Sequence, residues 1–150
     1  MFHNLGAQIY PVLLSTRIAV SATSTDHYTD CVDTRGYDGV QFLVETETTA
    51  ETAYTAYAQL SATSSGTGTF IDCYGSTVTH TTGFGTGQVL MGIDVFRPSR
   101  RWARVYVDRG TTGELISSVV ALLYKAGQTP TSPSTGKGIA DWNIVRGTSS

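Results

Sequence analysis

Across residues 33–46 (DTRGYDGVQFLVET) a polar turn carrying Gly36 and Gly39 opens into a run with two different faces. Val40, Phe42 and Val44 fall on one face and Gln41 and Glu45 on the other, with Leu43 as an apolar exception. Period-two alternation of this kind predicts a strand with one buried side. The pattern recurs at 101–108 (RWARVYVD) and at 115–124 (LISSVVALLY). Shorter runs predict strands at 17–23, 28–34, 54–62, 70–74, 77–80 and 88–96, the last with Gly92 as a bulge. About eight short strands, with turn signals every 8–12 residues or so, predict an antiparallel β-sandwich or jelly roll. The opening segment has room for a short helical turn at most, because Pro11 limits it.

The all-β domain is expected over 1–126, including an N-terminal segment at 1–15, and an extended C-terminal arm over 127–150. The arm begins with GQTPTSPSTGKG, which holds two of the four prolines and no apolar anchor. Ile139, Trp142, Ile144 and Val145 then restore apolar character. This end either folds back on its own sandwich or docks on a neighbouring subunit as a tethered attachment arm.

Composition supports the strand reading. The 150 residues include 24 Thr and 14 Ser, and β-branched Thr suits a half-solvated pleated surface better than a helix. A chain of this length buries roughly 68–70% of its unfolded surface, so a core forms without disulfide staples. No apolar run approaches the ~18 residues of a membrane span. Residues 1–20 lack the basic start and apolar stretch of an export signal. Cys31 and Cys73 are therefore expected as two buried thiols.

The net charge of −2 is unevenly spread, with −7 over residues 1–96 and +5 over 97–150. Arg97, Arg100, Arg101, Arg104 and Arg109 crowd into thirteen residues. Alternation puts Arg104 on one strand face with Trp102 and Tyr106, where arginine stems cover apolar surface or pair with carboxylates on a neighbouring strand. The acidic remainder repels polyanions, so no nucleic-acid partner is expected.

Catalytic and cofactor motifs are missing. There is no G-x-S-x-G elbow and no H-E-x-x-H helix. TGKG at 135–138 lacks both the leading Gly and the final Ser or Thr of a phosphate loop. GFGTG at 83–87 runs into a predicted strand instead of the helix a dinucleotide site needs. His3, His27 and His80 lie far apart, and Asp26, Asp30 and Asp33 match no calcium loop. No metal, cofactor or catalytic role is expected.

The N-terminal apolar segment, DTRGYDGVQFLVET, YAQLSATSSGTGTFID, and RWARVYVD before LISSVVALLYK together resemble the small head-decoration, or cement, proteins and related virion structural proteins of tailed bacteriophages. The likeness covers roughly residues 18–125 and is one of strands and turns rather than of an invariant motif. It implies a non-enzymatic β-sandwich on the outside of an icosahedral shell, made in the host cytoplasm, which bridges major capsid subunits. Homo-oligomers, trimers or dimers, are expected, and no membrane partner. On that reading the contact residues are expected to be Phe2, Tyr10, Arg97, Arg100, Arg101, Trp142 and Ile144, because aromatic and arginine side chains combine contact area with hydrogen-bonding ends. Two alternatives from other classes stand beside it. One is a glycan-binding or host-attachment module with Tyr54, Tyr57 and Tyr74 as a stacking platform, or another head or tail component; the other is a hydrolase with carboxylates distant in sequence.

Overall fold

In the computed structural model the alternating runs pair into two sheets facing each other across one apolar layer. The structure describes residues 9–19, 26–48, 54–64, 69–80, 87–109 and 115–125 and the backbone of 139–146. Every regular element among them is a strand. These are β1 (Ile9–Ser15), β2 (His27–Tyr28), β3 (Val32–Asp33), β4 (Gly39–Thr48), β5 (Tyr54–Ser61), β6 (Ile71–Asp72), β7 (Val78–His80), β8 (Gly87–Phe96), β9 (Trp102–Asp108), β10 (Leu115–Tyr124) and β11 (Ile139–Arg146). The first sheet runs β1-β10-β4-β8-β11, and the second β2-β9-β5-β6, with β3 also on β9 and β7 also on β5. All pairings are antiparallel except that of β11 on β8. The chain is thus a β-sandwich, as its alternation predicts.

The buried face of each strand is the one its sequence marks. Val40, Phe42 and Val44 of β4 and Met91, Ile93 and Val95 of β8 meet Ala56, Ala58 and Leu60 of β5 and Ala103, Val105 and Val107 of β9. Small residues on β5 and β9 oppose larger ones on β4 and β8, which lets the two sheets interdigitate at close range. Tyr54 joins them: its ring is fully buried and its hydroxyl donates to the Glu47 carbonyl of the opposite sheet at 3.2 Å.

Several local expectations change. Of the opening segment, residues 1–8 lie outside the described residues and 9–15 form edge strand β1, where Pro11 is accommodated because an edge strand has one row of N–H groups that needs no partner. Gly92 sits in register between Leu43 and Trp142, and the shifts fall instead between Leu13 and Ser15, between Ile116 and Ser118 and between Ile139 and Asp141. The strand expected at 28–34 is interrupted, because the Asp30 N–H leaves the second sheet to donate to the Leu14 carbonyl of β1 at 3.1 Å. Of the strand expected at 17–23, an Ile18–Ile116 bridge is seen, and 20–25 lie outside the described residues. Residues 139–146 of the expected arm form β11, whose backbone pairs in cis with β8.

Between the stretches where β7 and β6 pair with β5, the Ala58 carbonyl accepts from the Cys73 N–H at 2.8 Å but the Ala58 N–H has no backbone acceptor, and Ser76 fills the gap. Its buried hydroxyl accepts from the Ala58 N–H at 3.0 Å and donates to the Cys73 carbonyl at 2.7 Å. Ser76→Ala leaves that N–H without a partner, and a loss of about 1 kcal/mol is expected in urea unfolding at unchanged m-value.

Candidate interaction surface

Two turns far apart in sequence meet at one end of the sandwich. The link from β3 to β4 (34–38) and the link from β8 to β9 (97–101) line an open cleft of about 440 Å³. They bring together Arg35, Arg97, Arg100 and Arg101, with Tyr37 and Pro98 as its apolar surfaces. The turns are pinned to each other: the Arg97 N–H donates to the Asp38 carbonyl at 2.7 Å, and the Thr34 hydroxyl donates to the Arg101 carbonyl at 2.8 Å. Arg97 holds a left-handed backbone, φ +52°, which only Gly and Asn adopt at low cost and which turns its side chain out of the β8 direction.

Charge in the cleft is partly committed. Arg101 grips Asp33 bidentately, with Nη2 at 2.7 Å and Nε at 3.0 Å. Arg35 stands 3.8 Å from the same carboxylate. Hydrogen bonding from Arg101 holds Asp33 below the usual carboxylate range. Arg101 is exposed and Asp33 only half-buried, so the pair orders Arg101 more than it stabilises the fold. Arg97 lies over the Phe96 ring at 5.2 Å, and neither it nor Arg100 has a carboxylate partner among the described residues.

From the cleft the surface continues along the outward face of β9 through Trp102, Arg104 and Tyr106. Arg101 stacks on Trp102 at 5.0 Å. Arg104 is held between the rings of Tyr28, at 4.5 Å, and Phe70, at 3.9 Å, and its Nε donates to Gln59 Oε1 at 2.9 Å. Gln59 in turn donates to Asp72 at 2.8 Å. Tyr106 packs against Tyr28 at 5.0 Å and Tyr57 at 4.7 Å. Burial raises the phenol pKa of Tyr57 and Tyr106, so both stay protonated donors across the physiological range. The result is a preordered arginine and aromatic face beside an arginine cleft. Ordered side chains of these types lose little entropy on contact.

The expected contact residues are not one cluster. Arg97, Arg100 and Arg101 share the cleft, whereas Tyr10 is exposed on edge strand β1, three strands from β8. Trp142 and Ile144 occupy register positions beside Gly92 and Asp94 on β11, and Phe2 lies outside the described residues. The platform of Tyr54, Tyr57 and Tyr74 does not form, because Tyr54 points into the core while Tyr57 points out. Tyr106 is the ring partner Tyr57 does have, Tyr28 packs on Tyr106 in turn, and Arg35 completes the cleft; none of the three stood among the expected contacts.

Ser15 and His27 come nearest to a nucleophile and base, at 3.0 Å beside a second, smaller hollow. The Ser15 hydroxyl also lies 3.1 Å from the Thr16 carbonyl, a second acceptor that competes for its proton, and no carboxylate orients His27 by a hydrogen bond among the described residues. Burial and Arg109 lower the His27 pKa. The same residues hold no cluster of three metal-ligating side chains. Both thiols are free: Cys73 is buried, with its pKa pushed up to about 11, and Cys31 is half-buried. The chain matches no family model and no curated protein.

Proposed function

We propose that this chain is a non-enzymatic virion structural protein that binds the outside of a phage capsid and bridges major capsid subunits. The observation that carries the proposal is the ordered surface along β9, where Trp102, Arg104, Tyr106, Tyr28 and Tyr57 supply the side chains that dominate protein–protein contacts. Bridging needs more than one contact region. The other sheet offers a second along edge strand β1, whose two faces expose Tyr10 (59%) and Leu13 (58%) respectively. Modest contacts suffice on a shell, because attachment through two regions multiplies weak affinities.

Co-sedimentation with purified capsid particles tests the proposal. Tyr28→Ala/Tyr106→Ala is expected to weaken particle binding at least tenfold while leaving the circular dichroism spectrum and melting temperature near those of the parent. Unchanged particle binding removes the β9 face from the contact. Saturable binding on a glycan array, lost in the same double variant, would assign that face to a sugar instead.

A further inference from the structure

Charge is segregated between the two ends of the sandwich. Arg35, Arg97, Arg100 and Arg101 gather at the end where β4 begins. β4 then runs to the opposite end and carries Glu45 and Glu47 there, on the outward face shared with Gln41 and Leu43. Eight residues of strand separate Gly39 from Glu47, roughly 27 Å. Asp26 and Asp108, both exposed, stand at the same far end. Of the described cations there, Arg109 is buried with Nη2 donating to the Ala19 carbonyl at 2.6 Å, which leaves Arg17 on the surface.

We propose that the arginine cleft of one copy receives the Glu45 and Glu47 pole of a second copy, so that copies associate head to tail. Three features of the molecule fit. Among the described residues Arg97 and Arg100 have no carboxylate partner, while Arg101 is already fixed by Asp33 as one wall. Glu45 and Glu47 stand two residues apart on one strand face, about 7 Å, which presents two carboxylates in a row to a cleft rimmed by several guanidinium groups. Asp33 is engaged by Arg101, so its own charge is largely offset against an incoming pair of carboxylates. The contact joins different surfaces of identical copies, so it is heterologous and closes into a ring or propagates as a row. It requires no shell and goes beyond the capsid-binding proposal.

Sedimentation velocity of the purified full chain tests it at low and high salt, about 50 and 500 mM NaCl. The parent is expected to associate at low salt and to dissociate at high salt, because contacts between solvent-accessible charges are screened. Arg97→Glu/Arg100→Glu and, separately, Glu45→Arg/Glu47→Arg are each expected to weaken self-association at least tenfold, with unchanged melting temperatures. An equimolar mixture of the two variants is expected to associate again, because each then offers the pole the other lacks. A parent that stays monomeric at low salt, variants that associate like the parent, or a mixture that stays monomeric would each overturn the proposal. Loss of particle binding by the arginine variant alone, without parental self-association, would assign the cleft to an acidic segment of another protein and overturn it likewise.

Discussion

Phe42→Ala is expected to lower the unfolding free energy by about 3–5 kcal/mol, the largest single effect in the molecule. The ring is fully buried at the centre of the first sheet, between Ala121 of β10 and Ile93 of β8, and faces the second sheet. Truncation removes its transfer free energy and leaves a cavity that flanking strands, held on both edges, cannot collapse into. Leu43→Ala, one residue on and half-buried on the outward face, is expected to lose less than half as much. Urea unfolding of both variants checks the pair, and a loss below about 1 kcal/mol for Phe42→Ala would mean that the strand faces the other way.

Asp94→Asn is expected to stabilise the protein at pH 7 by roughly 1–3 kcal/mol, the range for a buried polar group without adequate partners. Asp94 is fully buried on β8; its Oδ1 accepts from the Tyr124 hydroxyl at 2.5 Å, and its Oδ2 has no hydrogen-bond partner among the described residues. Burial raises its pKa, opposed in part by the Tyr124 and Gln41 side chains. The folded chain therefore holds this proton to higher pH than the unfolded chain does. Stability is undiminished below the ordinary carboxylate pKa and falls as pH rises above it, until the folded-state carboxyl has ionised as well. Asparagine keeps an acceptor for Tyr124 and removes the charge, so its advantage should be present at pH 7 and vanish below about pH 4. A variant less stable than the parent at pH 7 would mean that the carboxylate is better satisfied than its surroundings indicate. Tyr124 is itself tightly placed, since a side chain at Gly39 would collide with its hydroxyl.

Alternation made the central strands legible in the sequence. β4, β8, β9 and β10 lie within one or two residues of their expected bounds, because each carries a continuous buried face that only one register satisfies. Short edge elements were harder to place. β1 lacks clean alternation and contains Pro11, and the chain between β2 and β3 leaves its sheet for a bond to Leu14 that no local signal announces. Gly92 is an ordinary ladder residue, since a missing side chain in a strand does not by itself specify a bulge. The parity of β5 was present in YTAYAQLSA: Tyr54 and Tyr57 are three apart and so lie on opposite faces.

For the surface, the arginines at 97–101 were evident from their density, but the cleft was not. It depends on the 34–38 turn arriving beside them, with Arg35 and Asp33 supplied from more than sixty residues away. The face of Arg104, Trp102 and Tyr106 followed from alternation in β9. Its partners Tyr28, Phe70 and Tyr57 come from three other segments, and only the strand order β2-β9-β5-β6 brings them together.

An averaged density map of capsid particles bearing the chain tests the central proposal most directly. The sandwich is expected on the outer surface, spanning two neighbouring shell subunits, with the outward face of β9 against one of them and exposed aromatic or apolar residues of β1 against the other. Particles with no density for the chain, or density inside the shell or touching a single subunit, would contradict the account.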